Sequence, residues 1–144
     1  MILVDANLLL YAANHAAPEH EQARSWLDEN LNGTTRVGLP WPSLLAFVRI
    51  ASNPIILRHP IRPADAWRQV KAWLACDVVW IPLPTTQHAT VFERLLDPPA
   101  VTSRLIPDAH LAALAIEHGL TLCSTDGDFA KFPELRWRNP LAAG

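Results

Sequence analysis

The sequence predicts an α/β fold: a three-layer α/β/α sandwich around a mostly parallel central sheet. Two observations lead there. Short β-rich apolar runs alternate along the chain with longer stretches of helical periodicity. The first such run, Ile2–Val4, contains no polar residue, as a strand covered on both faces requires. A chain of 144 residues, half of them apolar, has enough material for one core and not for two, so residues 1–144 are expected to form a single domain.

Taken in order, the first strand stops at Asp5 and a helix follows over residues 7–13. The next helix, 19–31, places Ala23, Trp26, Leu27 and Leu31 on one face and ends near Asn32-Gly33. A second strand is expected over 36–39, closed by Pro40. Ser43 is placed to cap a helix whose apolar face is Leu44, Phe47, Val48 and Ala51. Pro63 opens a further helix faced by Ala66, Trp67, Val70, Trp73 and Leu74. Residues 78–81 read as a strand, and Thr85 or Thr86 opens a helix that ends at Pro98-Pro99. Pro107-Asp108 opens a helix over 109–118, apolar almost all round and therefore central. Residues 120–123 form another strand, and the tail adds an edge strand within 135–141.

The composition excludes several classes. No apolar run approaches the span of a bilayer, and the first residues lack the basic region of a secretory signal, so a cytoplasmic protein without a membrane association is expected. Cys76 and Cys123 have no Cys or His partners at metal-ligand spacing and read as two reduced, buried hydrophobes. A net charge of −2 argues against coating nucleic acid by bulk positive charge. Six tryptophans offer buried surface, part of it suited to a subunit interface.

Three carboxylates stand out by position. Asp5 and Asp126 lie just past the carboxyl ends of two strands, and Asp108 at the start of the most buried helix. In open parallel sheets, ligands bind beyond the strand carboxyl ends near a topological switch point. Converging carboxylates repel each other, and a hard cation such as Mg²⁺ or Mn²⁺ relieves that. Such an ion can activate water and orient a phosphodiester. Each acid also has a local reading: Asp5 and Asp108 as helix caps, Asp126-Gly127 as a turn. Asp128 serves either the pocket edge or a turn. Asn7 and Thr125 flank the acids, for ligand orientation or for capping.

At these residues the sequence resembles the VapC-type toxins of the PIN-domain ribonuclease family. Met1-Ile2-Leu3-Val4-Asp5-Ala6-Asn7 is similar to their opening. Pro107-Asp108-Ala109-His110-Leu111 is similar to their third-acid helix, and Ser124-Thr125-Asp126-Gly127-Asp128-Phe129 to their fourth-acid loop. The ending, Phe132-Pro133-Glu134-Leu135-Arg136-Trp137, resembles one VapC subgroup. The resemblance implies a Mg²⁺- or Mn²⁺-dependent endoribonuclease acting on RNA, including tRNA. It also implies a homodimer and a cognate VapB-like antitoxin. It makes Asp5, Asp108 and Asp126 the metal-binding, catalytic acids. The family's second acid, a Glu in a Leu-Ala-Glu context, is replaced: the segment reads Leu45-Ala46-Phe47. A three-acid site holding one ion is therefore expected.

A nuclease must also hold phosphates. Arg49, off the apolar face of its helix, and Arg104, just before Asp108, are the expected RNA phosphate contacts. Arg58, Arg62, Arg68 and Lys71 cluster with Arg49 in the middle of the chain, and of these Arg68 and Lys71 read as ordinary solvated surface. The six histidines show no zinc-protease pattern, and none is given a catalytic role; His110 points off the face of Asp108. Two other readings compete. One is a catalytically weakened PIN domain that binds RNA or antitoxin. The other is a phosphotransfer enzyme with Asp5 as nucleophile, which Asn7 disfavours by standing where such enzymes place a second acid.

Overall fold

The computed structural model describes residues 1–142. Five strands form one sheet in the order β3-β2-β1-β4-β5, every neighbouring pair parallel. They are β1 (Ile2–Val4), β2 (Val37–Gly38), β3 (Val79–Trp80), β4 (Thr121–Cys123) and β5 (Trp137–Arg138). The helices are α1 (Ala6–Ala13), α2 (His20–Leu31), α3 (Trp41–Ala51), α4 (Pro63–Leu74), α5 (His88–Leu96) and α6 (Ile106–His118), with short 3₁₀ turns over Ser103–Leu105 and Gly127–Lys131. Among the described residues no helix is long and apolar enough to cross a membrane.

The sheet separates two cores, and strand alternation decides which residue joins which. Leu3 and Leu122 pack against Val91, Leu95 and the alanine-rich face of α6. Val4, Val37 and Cys123 point the other way, toward Leu8, Leu27, Phe47 and Val70 of α1 to α4. The result is the expected three-layer sandwich. From Ala109 to Ala115 every residue but His110 is buried, so α6 is the central helix the sequence implied. It ends at Gly119, whose φ of 68° lies in the left-handed region. That conformation lets Leu120 N–H reach the carbonyl of Ala115 at 2.8 Å. Gly38 meets a different demand. A Cβ there would stand 2.9 Å from Pro82 Cγ and 3.2 Å from the Ile2 carbonyl, so only glycine fits where β2 passes its neighbours.

Four local expectations are corrected. Ser43 does not cap α3. The helix begins two residues earlier because Pro42, whose missing N–H costs nothing in a first turn, lets Pro40 take the cap position. Ser43 is left buried with its hydroxyl unpartnered. Thr85 and Thr86 precede α5 without opening it: Thr85 Oγ1 accepts from Gln87 N–H in a turn, and the helix starts at His88. Asp108 is not a cap either, since α6 starts at Ile106 and leaves the Asp108 carboxyl free in the first turn. Cys76 is half-buried, whereas Cys123 is buried as expected; both are free thiols.

Candidate functional site

The strand order changes direction at β1, which has β2 on one side and β4 on the other. Chain connections therefore diverge between β1 and β4, and a crevice opens beyond their carboxyl ends. The last rung of that ladder, Asp5 N–H to the Cys123 carbonyl at 3.0 Å, brings Asp5 beside Ser124. Asp5 does cap α1, its Oδ1 accepting from Ala6 N–H at 2.8 Å. Its Oδ2 accepts from Ser124 Oγ at 2.7 Å. The local and the chemical readings of Asp5 are thus compatible: one oxygen fixes the helix, and the pair fixes the carboxyl plane.

Ser124 is the residue that sequence reasoning missed. It is fully buried, donates to Asp5 and accepts from Asn7 Nδ2 at 3.0 Å and from Asp126 N–H at 3.0 Å. One hydroxyl thus joins the ends of β1 and β4. Its position between the last strand residue and the Thr125-Asp126 pair is the signal in the sequence that marks it. Thr125 contributes its backbone N–H, which reaches Asn7 Oδ1 at 3.4 Å. Asn7 therefore holds the loop and also supports Ser124.

Asp126 caps the 3₁₀ turn after β4, its Oδ1 accepting from Asp128 N–H at 2.9 Å. The turn and Asp108 on α6 converge: oxygens of Asp108, Asp126 and Asp128 lie within 4.8 Å of one another. All three carboxylates are half-buried, and oxygen-only donors at this spacing suit a hard divalent cation. Burial first, and then the charges of Asp126, Asp5 and Asp128, push the Asp108 carboxyl up to about 6. Burial also lifts Asp5; the Ser124 and Ala6 hydrogen bonds pull it back part of the way, and the Asp126 charge adds to the rise. Asp128 moves in the opposite direction. Hydrogen bonds from Arg104 and Lys131 hold it below the usual carboxylate range, at N–O distances of 2.7 and 3.2 Å.

Of the two arginines singled out, Arg104 sits at this cluster with its side chain 64% exposed, and its charge is felt by Asp108. Arg49 is exposed in the last turn of α3 and makes no ion pair among the described residues. Phe47 is fully buried, its ring edge-on to Trp73 at 4.9 Å between centroids. It belongs to the core and supplies nothing to the crevice.

A second ionisable cluster lies between α5 and α6. The Glu117 side chain is 0% exposed and accepts from Thr85 N–H at 2.8 Å, from Thr85 Oγ1 at 2.7 Å and from His88 Nδ1. Burial opposes its ionisation, but these hydrogen bonds together outweigh burial and hold the carboxyl below its usual range.

A parallel α/β/α sandwich with a carboxylate pocket at its switch point defines a class of domain suited to metal-assisted phosphodiester chemistry. The family model described as PIN domain matches residues 2–135. Ribonuclease VapC37 of Mycobacterium tuberculosis is 42% identical over 99% of this chain and 99% of its own length. Ribonuclease VapC33 of the same organism is 40% identical over 98% and 99%. Among solved structures, VapBC2 from Rickettsia felis bound to a promoter DNA fragment shares the fold at a TM-score of 0.67 and 16% identity, covering 96% of this chain and 98% of that one. The chain belongs to the PIN-domain family, in its VapC branch.

Proposed function

We propose that this chain is a metal-dependent endoribonuclease, the toxin of a type II toxin–antitoxin pair, working as one PIN domain in the cytoplasm. The observation that carries this reading is the convergence of Asp108, Asp126 and Asp128 beside Asp5 at the switch point. Near-full-length identity to named ribonucleases supports the choice of RNA as substrate.

In this reading Asp5, Asp108 and Asp126 are the catalytic ligands of one Mg²⁺ or Mn²⁺, with Asp128 at the rim. When bound, the ion supplies Lewis acidity and an activated water for in-line hydrolysis of a phosphodiester. The chain's own groups prepare the site. Ser124 and the Ala6 N–H orient the Asp5 carboxylate. Asn7, through Ser124, keeps β1 and the Asp126 loop in fixed relation. Arg104 rests on Asp128 and offers its exposed planar fork to a phosphate. Arg49 is a weaker phosphate contact, distant in role from the acids. A VapB-like antitoxin, supported by the VapBC2 complex that shares the fold, and a second copy of the chain are the proposed partners. Exposed Trp41, Leu45, Ile55, Ile56 and Trp67 provide apolar surface for such contacts.

The test is sequencing of RNA ends after brief induction of the protein, with Asp5→Asn as control. New ends at defined positions that vanish in the variant are expected; identical ends in both refute the assignment. Phe47 favours a second reading, a weakened PIN domain that binds RNA or antitoxin without cutting. Binding by the partner-free protein with no metal-stimulated cleavage would select it.

A further inference from the structure

Helix α6 carries a separate set of ligand atoms on the side away from Asp108. His110 follows Asp108 by two residues, a rotation of about 200° around the helix. Its Nδ1 faces Nε2 of His88, the first residue of α5, at 3.2 Å, with the rings tilted by 72°. His88 is 19% exposed and stacks on Phe92, with 5.8 Å between ring centroids. Behind it stands Glu117. An ionised carboxylate only accepts hydrogen bonds, so it holds a proton on His88 Nδ1, and in the neutral ring the lone pair is on Nε2.

We propose that His88 Nε2 and His110 Nδ1 form a two-nitrogen site for a borderline-soft divalent cation, Zn²⁺, that ties α5 to α6. The distance fits. With Zn–N bonds of about 2.0–2.1 Å, two ligands of a tetrahedral zinc stand about 3.3 Å apart. The chemistry fits as well: imidazole suits zinc, whereas Mg²⁺ and Mn²⁺ prefer the oxygens of the carboxylate pocket. Glu117 completes a carboxylate–histidine–metal arrangement, which fixes the ring and raises its basicity. Entry of the ion moves the His110 proton from Nδ1 to Nε2, with no net proton release. Water fills the remaining positions. The site is independent of the proposed nuclease reaction, and its failure would leave that reading untouched.

The test uses the full chain labelled with ¹⁵N, with excess Mg²⁺ to fill the carboxylate pocket. Zn²⁺ is titrated in while long-range proton–nitrogen correlations of the imidazoles are recorded. His88 Nε2 and His110 Nδ1 are expected to shift together and to saturate at one equivalent. Glu117→Gln is expected to weaken Zn²⁺ binding about 10–100-fold. His110→Ala, at a half-buried position, is expected to abolish the His88 shift even if the Glu117 variant fails to fold. A plain hydrogen bond between the rings, with no shift on adding zinc, overturns the proposal. So does zinc binding that survives His110→Ala, or that is lost in Asp108→Asn instead.

Discussion

Asp108→Asn separates the cost of the carboxylate cluster from its use. The Asp108 carboxyl holds its proton more tightly in the folded protein than in the unfolded chain. Its favourable contribution is therefore complete below the unfolded value and is lost as pH rises through the folded one. A rise from 3.8 to about 6 corresponds to ~3 kcal/mol if undiluted. Solvent at this half-exposed group reduces that to about 1 kcal/mol. The metal-free wild type thus carries an ionised, repelled Asp108 at pH 8 and a neutral one at pH 4.5. The amide keeps the shape and removes the charge. In EDTA at pH 8 the variant is expected to melt about 3 °C higher than wild type, with the difference cut to about a third at pH 4.5 and gone below the unfolded value of 3.8. Divalent cation reverses the order: ion at 100 times its Kd stabilises wild type by about 2.7 kcal/mol and the variant far less. Thermal melts followed by circular dichroism read both effects. A variant less stable than wild type by the same amount at both pH values would show that Asp108 serves packing and not a strained cluster.

Ser124→Ala strands three polar groups around a fully buried position. Stability is expected to fall by about 1–3 kcal/mol in urea melts, and single-turnover cleavage by about 10–100-fold, as for loss of a group that orients a metal ligand. Phe47→Ala is expected to cost about 3–5 kcal/mol by removing a fully buried ring from its contact with Trp73. Phe47→Glu, which restores the family's usual acid, is expected to unfold the protein in chemical denaturation without raising activity, because position 47 faces the core. Arg104→Met is expected to lower RNA affinity and to reduce the slope of its salt dependence by about one, read from binding isotherms at several salt concentrations.

The sequence made the strand ends legible, and with them Asp5 and Asp126. Short apolar runs bounded by acids have few alternatives in a parallel sheet. Asp108 was legible through Pro107, which marks a first turn. Ser124 was not, because its role depends on the register between β1 and β4, which pairs residues 119 positions apart. Ser43 misled because its capping chemistry is sound in isolation, and Pro42 outweighs it. The sequence gives no histidine a catalytic role. His88 and His110 meet only when α5 packs on α6, a non-local event that spacing along one helix does not encode. Phe47 was read correctly from its helical spacing as a core residue, and its burial explains why no acid stands there.

The most direct test follows Mn²⁺ binding and RNA cleavage together in one preparation of partner-free protein, wild type against Asp126→Asn. Wild type is expected to bind one Mn²⁺ per chain and to cleave structured RNA only when the ion is present. The variant is expected to lose both properties while its circular dichroism spectrum stays unchanged. Cleavage that persists in Asp126→Asn, or in wild type with EDTA, would contradict a nuclease built on these carboxylates.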